Sequence, residues 1–121
     1  MKYLVQALGG PGFSSPEEAR RVLEGIVLPT FAALENLEAQ NKILAGGMLV
    51  AERAFVFIAE AASHEELDLM LREIPLWPVM QWRVKALHTW TGRAAYEQEA
   101  LKKLKADSEY PRGAHIMPPG S

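Results

Sequence analysis

Residues 54–61 constrain the fold most, because they are apolar on both sides of a strand. Side chains of a strand alternate between its faces. Phe55, Phe57 and Ala59 therefore point one way, and Val56 and Ile58 point the other. A half-solvated antiparallel strand alternates apolar with polar residues instead, so both faces of this one need cover. Residues 42–50 make the same demand with Ile43, Leu44, Met48, Leu49 and Val50. The chain's own helices can cover one face. A bare apolar patch on the other is a liability or an interface, and a second copy packed sheet to sheet is the simplest cover.

The remaining segments supply the helices and the other strands. Residues 2–8 read as a first strand, which the Gly9-Gly10-Pro11-Gly12 cluster ends. Ser15-Pro16-Glu17-Glu18 is a helix start: a cap, a proline suited to the first turn, and acids at the positive end of the dipole. Apolar spacing predicts a helix to about Gln40. Pro29 removes one donor and crowds the carbonyl four residues back, which predicts a kink near residues 25–28. Gly46-Gly47 inside the second strand predicts a bulge or a close backbone approach. A turn at Ala51-Glu52-Arg53 joins it to the third strand. Ser63 caps a second helix over residues 64–73, Ile74-Pro75-Leu76-Trp77-Pro78 forms an extended corner, and residues 79–87 read as a fourth strand. Residues 91–105 predict a last helix.

The order β-α-β-β-α-β with a terminal helix is a ferredoxin-like α+β sandwich, with both crossover helices on one face of the sheet. Residues 1–105 are expected to form one domain. Residues 106–121 hold three prolines and two glycines with little to bury, and are expected to be a flexible tail or an arm on a partner.

Composition excludes several classes. The chain has no cysteine, which removes disulfides, thiol chemistry and a Cys-based zinc site together. A net charge of −2 argues against a nucleic-acid partner. No apolar run approaches the roughly 18 residues of a membrane helix, and the start reads as a strand and not as a signal peptide. A cytoplasmic protein without a membrane partner is the expectation. His64, His88 and His115 lie far apart, and no metal site or cofactor is predicted from them. The glycine cluster lacks the residues of a phosphate loop and reads as a turn.

The fourth strand offers a candidate site. Met80, Trp82, Val84 and Ala86 alternate with Gln81, Arg83, Lys85 and Leu87. The first set suits the helix side. Gln81, Arg83 and Lys85 then share the second face with Gln6 of the first strand, among apolar walls. An apolar pocket with a few convergent polar groups is the usual form of a small-ligand site; solvated charges on an edge strand give the same pattern. Glu60 ends the third strand after its apolar run, as a solvated end or as a base near apolar walls. His88 follows the fourth strand, where an imidazole could act as acid or base near neutral pH.

The run His64-Glu65-Glu66-Leu67-Asp68, then Leu71, then Ile74-Pro75-Leu76-Trp77-Pro78-Val79-Met80 resembles the muconolactone isomerase family, as does Leu44-Ala45-Gly46-Gly47. The resemblance spans about residues 2–88. It implies a ferredoxin-like fold, dimeric α+β barrels closed sheet to sheet, and higher homo-oligomers. It also implies a shift of a double bond in a small carboxylated lactone by proton transfer, without metal or cofactor. Where the family carries acidic residues on the fourth strand, this chain has Gln81 and Arg83. An arginine there suits a substrate carboxylate. On this reading Arg83 and Lys85 hold a small anionic molecule, Gln6 and Gln81 orient it, and Glu60 or His88 moves the proton. A non-catalytic ligand-binding or self-assembling module of the same fold is the alternative.

Overall fold

A computed structural model describes residues 1–107. The chain separates into two compact units, Met1–Leu87 and a second that begins at His88. The first holds strands β1 (Lys2–Leu8), β2 (Ile43–Met48), β3 (Phe55–Glu60) and β4 (Gln81–Ala86), and helices α1 (Pro16–Val22), α2 (Leu28–Ala39) and α3 (His64–Arg72). The second holds helix α4 (Trp90–Asp107). The boundary expected at 105 falls within α4, and the rest of the expected tail lies outside the described residues. No described helix is long and apolar enough to cross a membrane.

The strands form one antiparallel sheet in the order β2-β3-β1-β4. This is the βαββαβ arrangement expected from the element order. Directly opposed residues in antiparallel strands share a face, so the register sorts every side chain. Tyr3, Val5 and Ala7 of β1 sit opposite Ala59, Phe57 and Phe55 of β3. All six are buried, and with Leu67, Leu71, Ile74 and Leu76 they form the core under the helices. The second face carries Leu4, Gln6 and Leu8 of β1 beside Ile58 and Val56 of β3, all five half-buried.

The helix before β2 is not uniform. A π-helical segment, Leu23–Val27, separates α1 from α2. Pro29 has no N–H to offer the carbonyl four residues earlier, and a wider turn accommodates the missing bond. The Leu28 N–H correspondingly donates to the Leu23 carbonyl. The expected kink thus takes the form of a change in winding, which re-aims Val27, Thr30 and Phe31 relative to α1. Ser15 and Ser63 cap α1 and α3 as their positions predict, each accepting from the N–H three residues on, at 3.1 Å.

The glycine pair in β2 does one of the two things expected of it. The bulge falls between Ile43 and Ala45, ahead of the glycines. Gly46 makes the close approach: its φ is 154°, and an added Cβ would lie 2.4 Å from the Val56 carbonyl oxygen. Only glycine lets β2 run this near β3.

Candidate active site

The second sheet face brings together most of the polar residues that the sequence singles out. Arg83 sits directly opposite Gln6, Lys85 opposite Leu4, and Gln81 opposite Leu8. Val56 flanks Gln6 on its other side. Arg83, Lys85 and Gln81 are exposed on the edge strand. Glu60 shares this face, opposite Lys2. Its Oε1 receives the N-terminal ammonium of Met1 at 3.4 Å, while its Oε2 is shielded and has no hydrogen-bond partner. His88 belongs to the second unit.

Two apolar cavities lie on the helix side of the sheet. One, of about 130 Å³, is walled by Phe13, Val27, Phe31, Phe55, Leu76 and Met80. Thr30 and Met48 line it too, and Glu52 and Arg53 supply its charged groups. A second, of about 200 Å³, lies along the β2 edge and shares Phe31, Met48 and Phe55 with the first. Its walls add Leu34, Ile43, Gly46 and Phe57, and its acidic residues are Glu35 and Glu38. Gln6, Gln81, Arg83, Lys85 and Glu60 line neither.

Local sequence explains how the first cavity is built. The π-helical segment and the turn after it bring Val27, Thr30 and Phe31 to its wall. Thr30 is the buried polar side chain among the described residues, and its Oγ1 accepts from the Leu76 N–H at 3.1 Å. That bond ties the proline corner to α2 and satisfies a buried donor that helix and strand leave free. The β2–β3 turn places Glu52 and Arg53 beside the loop after β1. The Gly10 N–H donates to the Arg53 carbonyl at 2.8 Å, and the Arg53 guanidinium lies 5.6 Å from the centre of the Phe13 ring. A cation near the face of a ring is a favourable contact that also fixes the guanidinium.

Chemically, this is an apolar slot with one guanidinium and one carboxylate among its lining residues. It can take a small ring and pair with an anionic substituent on it. Arg53, Glu52, Phe13 and Thr30, which line this cavity, are not singled out by the sequence pattern. The usable signal was a charged pair in the β2–β3 turn together with a glycine cluster whose lack of side chains lets that turn approach.

Elsewhere, the Tyr3 hydroxyl shares a hydrogen bond with His64 Nδ1 at 2.6 Å. Burial pushes the Tyr3 phenol above its usual range, and the nearby Glu65 charge adds to the shift. His64, exposed at the start of α3, is thus tied to the buried Tyr3 of β1. Among the described residues no cluster of three or more His, Cys, Asp or Glu side chains is placed to hold a metal.

A four-stranded antiparallel sheet with α1, α2 and α3 on one face, and a small apolar cavity lined also by Glu52 and Arg53, defines an α+β domain. A family model for muconolactone delta-isomerase matches residues 1–92, and the chain belongs to that family. Most of α4 lies beyond the matched residues. Two solved structures share the fold. A crystal structure of muconolactone isomerase superimposes with a TM-score of 0.61 at 19% identity, covering 74% of this chain and 90% of that one. The 5-chloro-2-hydroxyhydroquinone dehydrochlorinase of Burkholderia phenoliruptrix AC1100, solved with 2,5-dihydroxybenzoquinone, gives 0.56 at 22% identity over 75% and 97%. At these identities the likeness bears on the fold alone. No curated protein sequence matches the chain.

Proposed function

We propose that this chain is a cofactor-independent isomerase of a small carboxylated ring compound, such as a lactone, which it binds between sheet and helices. The observation that carries this reading is the cavity of about 130 Å³ with Arg53 among its lining residues. The ring lies among Phe31, Phe55, Leu76 and Met80. Arg53 pairs with the ring's carboxylate, through two parallel hydrogen bonds where both oxygens are presented to it. Glu52 is the carboxylate on the same cavity and serves as the base. It takes a proton from a ring carbon beside the double bond, and the proton returns at the far end of the allylic system. The C–H bond broken and the C–H bond formed balance, and the double bond moves one position.

A second reading places the site on the other sheet face, with Arg83, Lys85, Gln6 and Gln81 holding the anion and Glu60 as base. The direct opposition of Gln6 and Arg83 and the unpartnered Glu60 Oε2 favour it. In either case a second copy packed sheet to sheet covers Leu4, Leu8, Val56 and Ile58. Parallel assays of Arg53→Ala, Glu52→Gln, Arg83→Ala and Glu60→Gln on muconolactone separate the two. The cavity reading predicts large losses in the first pair and near-normal turnover in the second. The reverse pattern transfers the site to the open face.

A further inference from the structure

The loop after β1 meets Arg53 at three points. The Gly10 N–H donates to its carbonyl at 2.8 Å. The Gly12 backbone leaves so little room that an added Cβ would lie 2.8 Å from Arg53 Nη1. The Phe13 ring faces the guanidinium at 5.6 Å. The guanidinium therefore rests against Gly12 and Phe13 of the loop, although the residue belongs to the β2–β3 turn. Held this way, it gives up little freedom when it meets an anion, and its position fixes where on a bound ring the anionic group must sit.

We propose that Gly12 and Phe13 are specificity-determining positioning residues: they hold Arg53 so that the cavity selects rings bearing a carboxylate over uncharged rings of the same shape. This rests on the cavity reading above and names its selectivity device. Neither residue needs to touch the reacting atoms. Gly12 acts by the absence of a side chain and Phe13 by its ring face.

The two glycines differ as test positions. A side chain at Gly10 would press on the Arg53 backbone, with a Cβ 2.6 Å from its carbonyl oxygen, and would disturb the turn itself. At Gly12 the obstacle is Arg53 Nη1, at the far end of the side chain and away from the backbone. Left-handed φ among the described glycines falls at Gly9 and Gly46, so alanine at Gly12 brings no backbone strain. Gly12→Ala is thus a clean way to displace the guanidinium without removing it.

The experiment measures dissociation constants by calorimetry for muconolactone and for the same unsaturated lactone lacking its carboxylate arm. The proteins are wild type, Gly12→Ala, Phe13→Leu, Phe13→Trp, Arg53→Ala and Gly12→Ala/Arg53→Ala. Losing a hydrogen-bonded charge pair weakens binding by roughly tenfold to a hundredfold. Arg53→Ala is expected to show that loss for muconolactone and little change for the uncharged lactone. Gly12→Ala is expected to lose about fivefold or more on muconolactone alone, Phe13→Leu to lose more on muconolactone than on the uncharged lactone, Phe13→Trp, which keeps a ring face, to lose less of that preference than Phe13→Leu, and the double variant to match Arg53→Ala. If Arg53→Ala weakens binding while Gly12→Ala and Phe13→Leu bind as wild type, the positioning proposal is overturned and the cavity reading stands. If Arg53→Ala also binds as wild type, both fall. Far-UV circular dichroism on each variant shows whether it is folded, and the uncharged lactone reports the intact slot.

Discussion

Gly46 and Gly47 are adjacent in one strand and face opposite demands, which makes them an internally controlled test of the sheet. At Gly46 an added Cβ would meet the Val56 carbonyl oxygen at 2.4 Å, Phe57 Cβ at 2.5 Å and Phe57 Cα at 2.7 Å. None of these atoms is the far end of a flexible side chain, so the two strands must move apart. The φ of 154° adds strain for any residue with a side chain, on the order of 1–3 kcal/mol. Forcing atoms into a packed contact costs a further ~1–3 kcal/mol. Gly46→Ala is therefore expected to destabilise by about 3 kcal/mol or more. At Gly47 nothing lies within 4 Å and φ is not left-handed. Gly47→Ala is expected to be neutral, or stabilising by about 0.4–1 kcal/mol through a less flexible unfolded chain. For a domain of this size the pair's melting temperatures separate by roughly 15 °C or more. Urea unfolding followed by circular dichroism at equal protein concentration reads the difference. Midpoints that agree within about 0.5 kcal/mol refute the register between β2 and β3.

Three other outcomes follow from the same structure. Thr30→Val removes the acceptor of the buried Leu76 N–H and is expected to destabilise by about 1–3 kcal/mol, measured as a shift in the denaturation midpoint at constant slope. The raised Tyr3 pKa makes its contribution complete below the unfolded value of 10.0, and that contribution is lost as pH rises through the folded value. Stability of the wild type is thus expected to fall more steeply above pH 10 than that of Tyr3→Phe; parallel curves in an alkaline unfolding series contradict the burial argument. Ile58→Glu puts a charge in the middle of the half-buried second face and is expected to yield a folded monomer in analytical ultracentrifugation, whereas an unchanged assembly shows that this face is not the interface.

Much of the fold was legible because local chemistry and periodicity agreed. Ser15 and Ser63, with acids behind them, mark helix starts, and the strands announced themselves by apolar runs between glycine and proline. The ends of β2, β3 and β4 lie one or two residues inside the expected ones, where pairing stops, while α4 runs one or two residues beyond its expected ends. Pro29 located the irregularity in the first helix, but a π-helical segment is a question of which carbonyl the next N–H finds, and residue type does not specify that.

The candidate site was less legible. Alternation correctly put Gln6, Arg83 and Lys85 on one face, since a period of two needs no tertiary information. The cavity depends on separate segments meeting: the glycine loop, the β2–β3 turn, the π-helical segment and the proline corner. Arg53 read as a turn residue because its neighbours in space, Gly10, Gly12 and Phe13, lie 40 or more positions earlier in the chain. A glycine cluster shows that something must pass close by, and only the fold names the arginine.

The most direct test of the account is a crystal structure of the chain soaked or co-crystallised with muconolactone. The expected result is a ring between Phe31, Phe55 and Met80, with its carboxylate on Arg53. A ring bound on the other sheet face with its carboxylate on Arg83 would contradict the assignment of the cavity.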